Sequence, residues 1–176
     1  MAKIRKFAAY RRIERPYTRV SKFKKKSYIK ATPRVGIIKF SMGDMKRTFP
    51  IKLDLVSKID LQIRSNALES ARMGCNRVLE KRLGKQAYNF RIVVYPFHIL
   101  RENPLAAGAG ADRFSTGMKH SFGKSIGNAA QIKKGQIIFS VGTTKANIET
   151  ARLALTRARH KLPCGCAIKV NEIKVN

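Results

Sequence analysis

The sequence predicts an α+β domain: an antiparallel or mixed sheet with two helices, preceded by a basic extended arm and interrupted by one long loop. Three observations predict it. Two stretches, 66–83 and 147–161, place apolar residues at three- and four-residue spacing, the period of a helix face. Several shorter runs alternate or cluster apolar residues between Gly, Pro and Asn signals, as strands do. The first 33 residues do neither.

That opening segment, residues 1–33, carries 12 Lys and Arg in its first 30 positions against one acid, Glu14. Phe7, Tyr10, Tyr17, Phe23 and Tyr28 are spaced among the cations. Cations suit phosphates and flat rings suit bases, so the arm reads as an RNA-binding segment without its own core. Its contact candidates are Arg5, Lys6, Arg11, Arg12, Arg15, Tyr17, Arg19, Lys22, Lys24, Lys25 and Lys26.

One domain is expected over 34–176. Val35–Phe40 reads as a first strand and Phe49–Leu55 as a second, with Met42-Gly43-Asp44 as turn chemistry between them. Helix 66–83 puts Leu68, Ala71, Cys75, Val78, Leu79 and Leu83 on one face, which makes Cys75 a packing residue. Asn66 with Glu69 resembles a capping arrangement, and Gly84 fits the stop. Tyr88–Leu100 reads as one long strand with an edge or bulge at Pro96, because proline has no N–H for a ladder. His98 on it reads as a packed, satisfied histidine.

Strands resume at Asn128–Ile132 and Gln136–Val141, joined by Lys133-Lys134-Gly135. In helix 147–161 the buried face is Ile148, Ala151, Leu155 and Ala158, with Leu162 following. Asn147 is its expected cap, Arg157, Arg159 and Lys161 favour its C-terminal dipole, and Pro163 ends it. Ile168–Val175 is expected to close the sheet, with a bulge near Asn171-Glu172.

Charge narrows the function. The chain has 176 residues, with 38 Lys and Arg against 10 Asp and Glu, a net charge of +28. Self-repulsion at that level favours a polyanionic partner, and nucleic acid is the commonest. No run of about 18 apolar residues occurs, so no membrane span is expected. No secretory signal is expected at the basic N-terminus, and three cysteines, an odd number, make no disulfide framework. The chain reads as intracellular.

Motifs for chemistry fail on spacing. Gly108-Ala109-Gly110-Ala111-Asp112-Arg113 starts like a dinucleotide fingerprint, but Arg113 stands where the third glycine is needed. Gly117 to Gly123-Lys124-Ser125 has five intervening residues where a phosphate-binding loop has four. Cys164-Gly165-Cys166 with His160 offers three zinc ligands at most, where a structural site takes four. The histidines show no nucleophile–base spacing. No catalytic residue, metal or cofactor is expected.

Loop 102–124 carries the positive signal. It is too long for a simple connector. From Asp112 to Glu149 no acid intervenes, while Arg113, Lys119 and Lys124 supply charge. Gly117 and Gly123 permit close backbone approach, and Met118, His120 and Phe122 supply apolar and stacking surface. Asp112 is expected to shape the turn through its own backbone. Two functional classes fit these features: a component of a ribonucleoprotein, and a free, chromatin-like nucleic-acid-binding module. An RNA-modifying enzyme would need a pocket and an acid or base that the sequence does not offer.

At these residues the chain closely resembles a known family. Pro96-Phe97-His98, Ala109-Gly110-Ala111-Asp112-Arg113, Thr116-Gly117-Met118 and Phe122-Gly123-Lys124 resemble the archaeal and eukaryotic branch of the universal large-subunit ribosomal protein sixteen family, historically ribosomal protein L ten e. Arg15-Pro16-Tyr17 matches as well, as do Ala154-Leu155 and Lys161-Leu162-Pro163. The resemblance implies an α/β-hammerhead fold and a place in the cytoplasmic ribosome. There it implies contact with large-subunit ribosomal RNA beneath the central protuberance, with the 5S region nearby. It implies neighbouring large-subunit proteins and late assembly factors as partners. It further implies a loop, with Asp112, Arg113, Thr116, Gly117, Met118, Lys119, His120, Phe122, Gly123 and Lys124, facing transfer RNA and the peptidyl transferase centre. The chain stops at Asn176, so an archaeal form is expected.

Overall fold

The computed structural model describes residues 6–29, 31–102 and 123–173. Among the described residues, eight strands form two antiparallel sheets. They are β1 (Ser41–Gly43), β2 (Ile51–Ser57), β3 (Leu61–Arg64), β4 (Asn89–Ile92), β5 (His98–Glu102), β6 (Lys124–Ile132), β7 (Ile137–Thr143) and β8 (Cys166–Glu172). The five-stranded sheet runs β1-β4-β7-β2-β8 and the three-stranded sheet β3-β6-β5. Helices α1 (Ser65–Leu83) and α2 (Ile148–Arg159) pack against each other; α2 lies on β2, β7 and β8, and α1 reaches β3 and β6. The α+β class, the sheet and the two helices stand as the sequence predicts.

β2 sits between β7 and β8, so nearly all of it is buried, including Asp54. Asn171 Nδ2 donates to the Asp54 carboxylate at 3.0 Å. Leu53, Leu55, Leu68, Leu79, Phe90, Phe139 and Leu155 are fully enclosed, and the Phe90 and Phe139 rings meet at 5.6 Å. Each such side chain stabilises the fold by about 1.5–3 kcal/mol through burial.

Several elements differ from expectation. Val35–Lys39 forms no ladder: Ile37 is buried and Val35 packs on the core, so they cover it instead of pairing. The strand is Ser41–Gly43, and only the Phe40 carbonyl extends its pairing, accepting the Ile92 amide at 2.8 Å. Gly43 (φ +84°) lies in that strand, where a Cβ would strike the Tyr88 carbonyl. Asp44 makes the turn that follows, its carboxylate accepting the Lys46 and Arg47 amides. Strand β3 was not anticipated; its four residues run straight into α1. Because α1 starts at Ser65, Asn66 falls inside its first turn, and neither it nor Asn147 before α2 caps through its side chain. Glu69 instead pairs with Arg72. Gly84, at φ +76°, ends α1 as expected. β8 holds an unbroken register from Ile51↔Glu172 to Ser57↔Cys166, so no bulge occurs at Asn171-Glu172; the irregularity lies between Leu55 and Val56 against β7.

The long strand over Tyr88–Leu100 is two strands in two sheets. β4 pairs with β7, β5 pairs with β6, and Pro96 lies between them. The Phe97 N–H folds back to the Tyr95 carbonyl at 3.0 Å, a γ-turn centred on the proline. Lys133–Gln136 makes a second crossing, from β6 in one sheet to β7 in the other, with Gly135 at φ +83°.

Candidate nucleic-acid interface

The arm lies against the three-stranded sheet and is held by its carbonyl oxygens. Gln62, buried in β3, donates from Nε2 to the Tyr10 carbonyl at 3.2 Å and to the Arg12 carbonyl, and from its own amide to the Arg11 carbonyl at 3.3 Å. Gln131 in β6 donates to the Glu14 carbonyl at 2.8 Å. In β5 the Ile99 amide donates to the Tyr17 carbonyl at 3.2 Å, and the Tyr17 amide donates to His98 Nδ1 at 3.0 Å. Ser125 donates to the Ala31 carbonyl at 2.8 Å.

Rings and guanidinium groups fasten the same path. Arg64 of β3 sits 4.5 Å from the centre of the Tyr10 ring, and Arg101 of β5 sits 4.0 Å from that of Tyr17. Within the arm, Arg19 lies 4.4 Å over Tyr28. Each such pair is worth about 0.5–1 kcal/mol at an exposed site.

The consequence is a division of labour. Main-chain acceptors are used on the sheet, while Lys6, Arg11, Arg12, Arg15, Arg19, Lys22 and Lys24–Lys26 are all exposed. Lys24–Lys26 forms a single 3-10 turn, which gathers three cations in one place. Tyr17 is half-buried and occupied by Arg101, so its ring serves the arm's attachment. Arg5 lies outside the described residues.

A hairpin stands beside the arm. β5 and β6 pair from His98↔Ala129 to Glu102↔Lys124, with a bulge where Leu100↔Gly127 gives way to Arg101↔Ser125. Bulges bend and twist a ladder, here close to the point where the loop leaves it. Gly123 has φ +72°, and Lys124 is exposed. Asp112, Arg113, Thr116, Gly117, Met118, Lys119, His120 and Phe122 lie outside the described residues. Next to the stem, a cleft of about 610 Å³ is lined by Ile13, Phe97, Gln131 and the turn Lys133–Gln136, with both lysines exposed.

His98 is buried and satisfied, as its sequence context suggests. Burial lowers its pKa, Arg101 adds to that lowering, and Glu14 opposes it. The imidazole is therefore held neutral, with Nδ1 as acceptor. Among the described residues, no three His, Cys, Asp or Glu side chains gather into a metal site, and no helix is long and apolar enough to cross a membrane.

Sequence reasoning missed the anchors Gln62, Arg64, Arg101 and Gln131. Gln62 carried one signal, a polar residue between Leu61 and Ile63 in a short alternating run. The others are brought to the arm by topology alone.

Comparison with known proteins adds the lineage. A family model described as ribosomal protein L16p/L10e matches residues 15–169. The chain is 45% identical over 172 residues to the large ribosomal subunit protein uL16 of Methanococcus maripaludis, covering 97% of this chain and 96% of that one. Against uL16 of Methanococcus aeolicus it is 44% identical over 170 residues, 96% and 95% of the two chains. Against uL16 of Archaeoglobus fulgidus it is 43% identical over 163 residues, 93% and 90%.

Proposed function

The chain belongs to the L16p/L10e family of ribosomal proteins, and from that premise we propose that its arm anchors ribosomal RNA while hairpin β5–β6 carries loop 102–124 to transfer RNA beside the peptidyl transferase centre. Membership makes the protein a structural constituent of the large ribosomal subunit, associated with ribosomal RNA and ribosomal proteins, and not an enzyme. It also sets aside the reading as a free, chromatin-like module.

The observation that carries the proposal is the arm's orientation. An arm whose carbonyl oxygens are bound to a sheet cannot rotate freely, so its exposed cations are presented as a fixed array. Phosphate contacts of this kind position a protein on RNA without reading sequence. The stem supports the loop's role: its last pair, Glu102↔Lys124, sets where residues 103–122 depart. Neighbouring proteins and late assembly factors then meet the remaining surface.

The test separates the two elements. Residues 105–121 are replaced by a short Gly-Ser linker in reconstituted large subunits. Docking is expected to persist, because β5, β6 and the arm remain, while peptide-bond formation or transfer-RNA affinity falls. Normal values for both, with normal assembly, would make the loop a passive insertion and sink this reading of it.

A further inference from the structure

Two of the three thiols form a pair that the ribosomal role does not use. Cys164 and Cys166 flank Gly165, where the chain leaves the turn after α2 and enters β8. Their sulfurs lie 3.4 Å apart, in hydrogen-bond contact. Cys164 is 9% exposed and Cys166 3%, while Gly165 between them is exposed. The pair therefore lies at the margin of the hydrophobic core, beside an exposed bend.

The contact between the two sulfurs, more than any neighbouring charge, favours a thiolate at Cys164. Lys58 holds the bend: its amide donates to the Gly165 carbonyl at 3.1 Å, and its side-chain stem passes over Gly165. The charges of Lys58 and Arg159 both act on Cys166. The Ser57 hydroxyl gives its proton to the Ile59 carbonyl at 2.7 Å, so its 4.0 Å approach to Cys164 is a weak contact. Either thiol can donate across the sulfur–sulfur contact, and Cys166 Sγ also approaches the Cys164 carbonyl at 3.6 Å. Of the two, the Cys164 thiol is the one pushed down, to about 7, chiefly by its hydrogen bond with Cys166. Cys166 is pushed up, because its thiol donates to the Cys164 thiolate and a second anion beside the first is costly. One proton leaves readily and the other stays, which makes a nucleophile beside a resolving thiol.

A metal does not explain the arrangement. His160 is exposed, and no third ligand joins the sulfurs among the described residues.

We propose that Cys164 and Cys166 are a thiol–disulfide modification site, oxidised by a low-molecular-weight disulfide such as glutathione disulfide. The Cys164 thiolate attacks one sulfur of the oxidant, the oxidant's S–S bond breaks, and one small thiolate leaves. Cys166 then loses its proton to solvent and attacks Cys164 Sγ, expelling the second small thiol. Two protein thiols are oxidised to one disulfide, and one small disulfide is reduced to two thiols. The sulfurs close from 3.4 Å to a bond of about 2.05 Å. Cys75 is an internal control: it is fully buried in α1, and burial pushes its thiol up.

The test uses the reduced full-length protein and glutathione disulfide, with intact mass and peptide mapping under non-reducing conditions. The wild type is expected to lose the mass of two hydrogens, with the link mapped between Cys164 and Cys166 and Cys75 still reduced. Cys166→Ser is expected to retain glutathione on Cys164. Cys164→Ser is expected to react at Cys166 at least tenfold more slowly than Cys166→Ser reacts at Cys164. Cooperative thermal unfolding of both variants confirms that they fold. A wild type that stays reduced, or that accumulates a glutathione adduct without the internal link, overturns the proposal. Equal rates in the two variants overturn the assignment of Cys164 as nucleophile.

Discussion

The Tyr17 amide donates its hydrogen bond to His98 Nδ1 at 3.0 Å across 81 residues of sequence, and so ties the arm to the strand that leads into the loop. Replacing His98 with Phe leaves that amide without its acceptor at a part-buried site, which costs about 1 kcal/mol. His98→Asn restores an acceptor near the same position. Hydrogen exchange at the Tyr17 amide is expected to accelerate in the Phe variant and to recover largely in the Asn variant. Equal protection in all three would show that the bond does not hold the arm.

The same contact predicts a pH dependence. Burial keeps the folded-state pKa of His98 below its ordinary value, so the unfolded chain takes up this proton first as pH falls. Stability from this group is therefore intact above about pH 6.5 and declines as pH drops towards the lowered folded value. Protonated Nδ1 cannot accept, so the arm loosens over the same window. Limited proteolysis of the arm at pH 7 and pH 5 is expected to show faster cleavage at the lower pH. His98→Asn is expected to remove most of that difference.

Arg72 and Glu69 form a buried pair on α1, with Nε donating to Oε2 at 2.8 Å and a guanidinium N–H approaching Met42 Sδ at 3.1 Å. Arg72→Met strands a carboxylate and is expected to cost about 3–5 kcal/mol in urea unfolding. The double change Glu69→Leu with Arg72→Met is expected to recover most of it. A double variant as unstable as the single one would show that packing, not charge, dominates. The hydrogen bond from Arg72 holds the Glu69 carboxyl below its usual range, so its contribution is lost only as pH falls through that lowered value.

Binding to a ribosomal RNA fragment is expected to weaken steeply with salt. With about six phosphates neutralised, log affinity falls against log salt with a slope of about −4 or steeper. A nearly flat response would remove phosphate contact as the source of affinity. Changing Lys24, Lys25 and Lys26 to Ala is expected to flatten the slope by about 2 to 3.

Residues 34–176 without the arm are expected to unfold in one cooperative transition, since the large buried side chains of the core lie beyond residue 34. RNA affinity is expected to fall at least tenfold. Loss of the transition would place the arm within the folding unit.

Much of this was legible in the sequence, and the illegible parts share a cause. The helices declared themselves because 3.6-residue periodicity persists along each, and Gly84 and Pro163 mark where they stop. The switch between sheets at Pro96 did not. Exposure alternates without a break from Arg91 to His98, so a period of two continues while the hydrogen-bonding partner changes. Only the proline hints at it. The arm's cations were legible from composition, but its anchorage was not. Gln131 and Glu14 are 117 residues apart, and no local pattern predicts that one will hold the other's carbonyl. Most of Val35–Phe40 shows the converse error, residues read as a strand where Val35 and Ile37 serve as a lid on the core.

Every amino acid carries a carbonyl oxygen, and that is what Gln62 and Gln131 hold at Tyr10, Arg11, Arg12 and Glu14. Apart from the Tyr10 and Tyr17 rings, attachment of the arm is therefore blind to which side chains it bears. Its outward residues are free to drift with a changing nucleic-acid partner, one substitution at a time, without unseating the segment. Selection for attachment falls instead on the receiving sheet, where Gln62, His98 and Gln131 have no such latitude. Homologues are expected to vary their basic positions along the arm while retaining the donors and the acceptor beneath it.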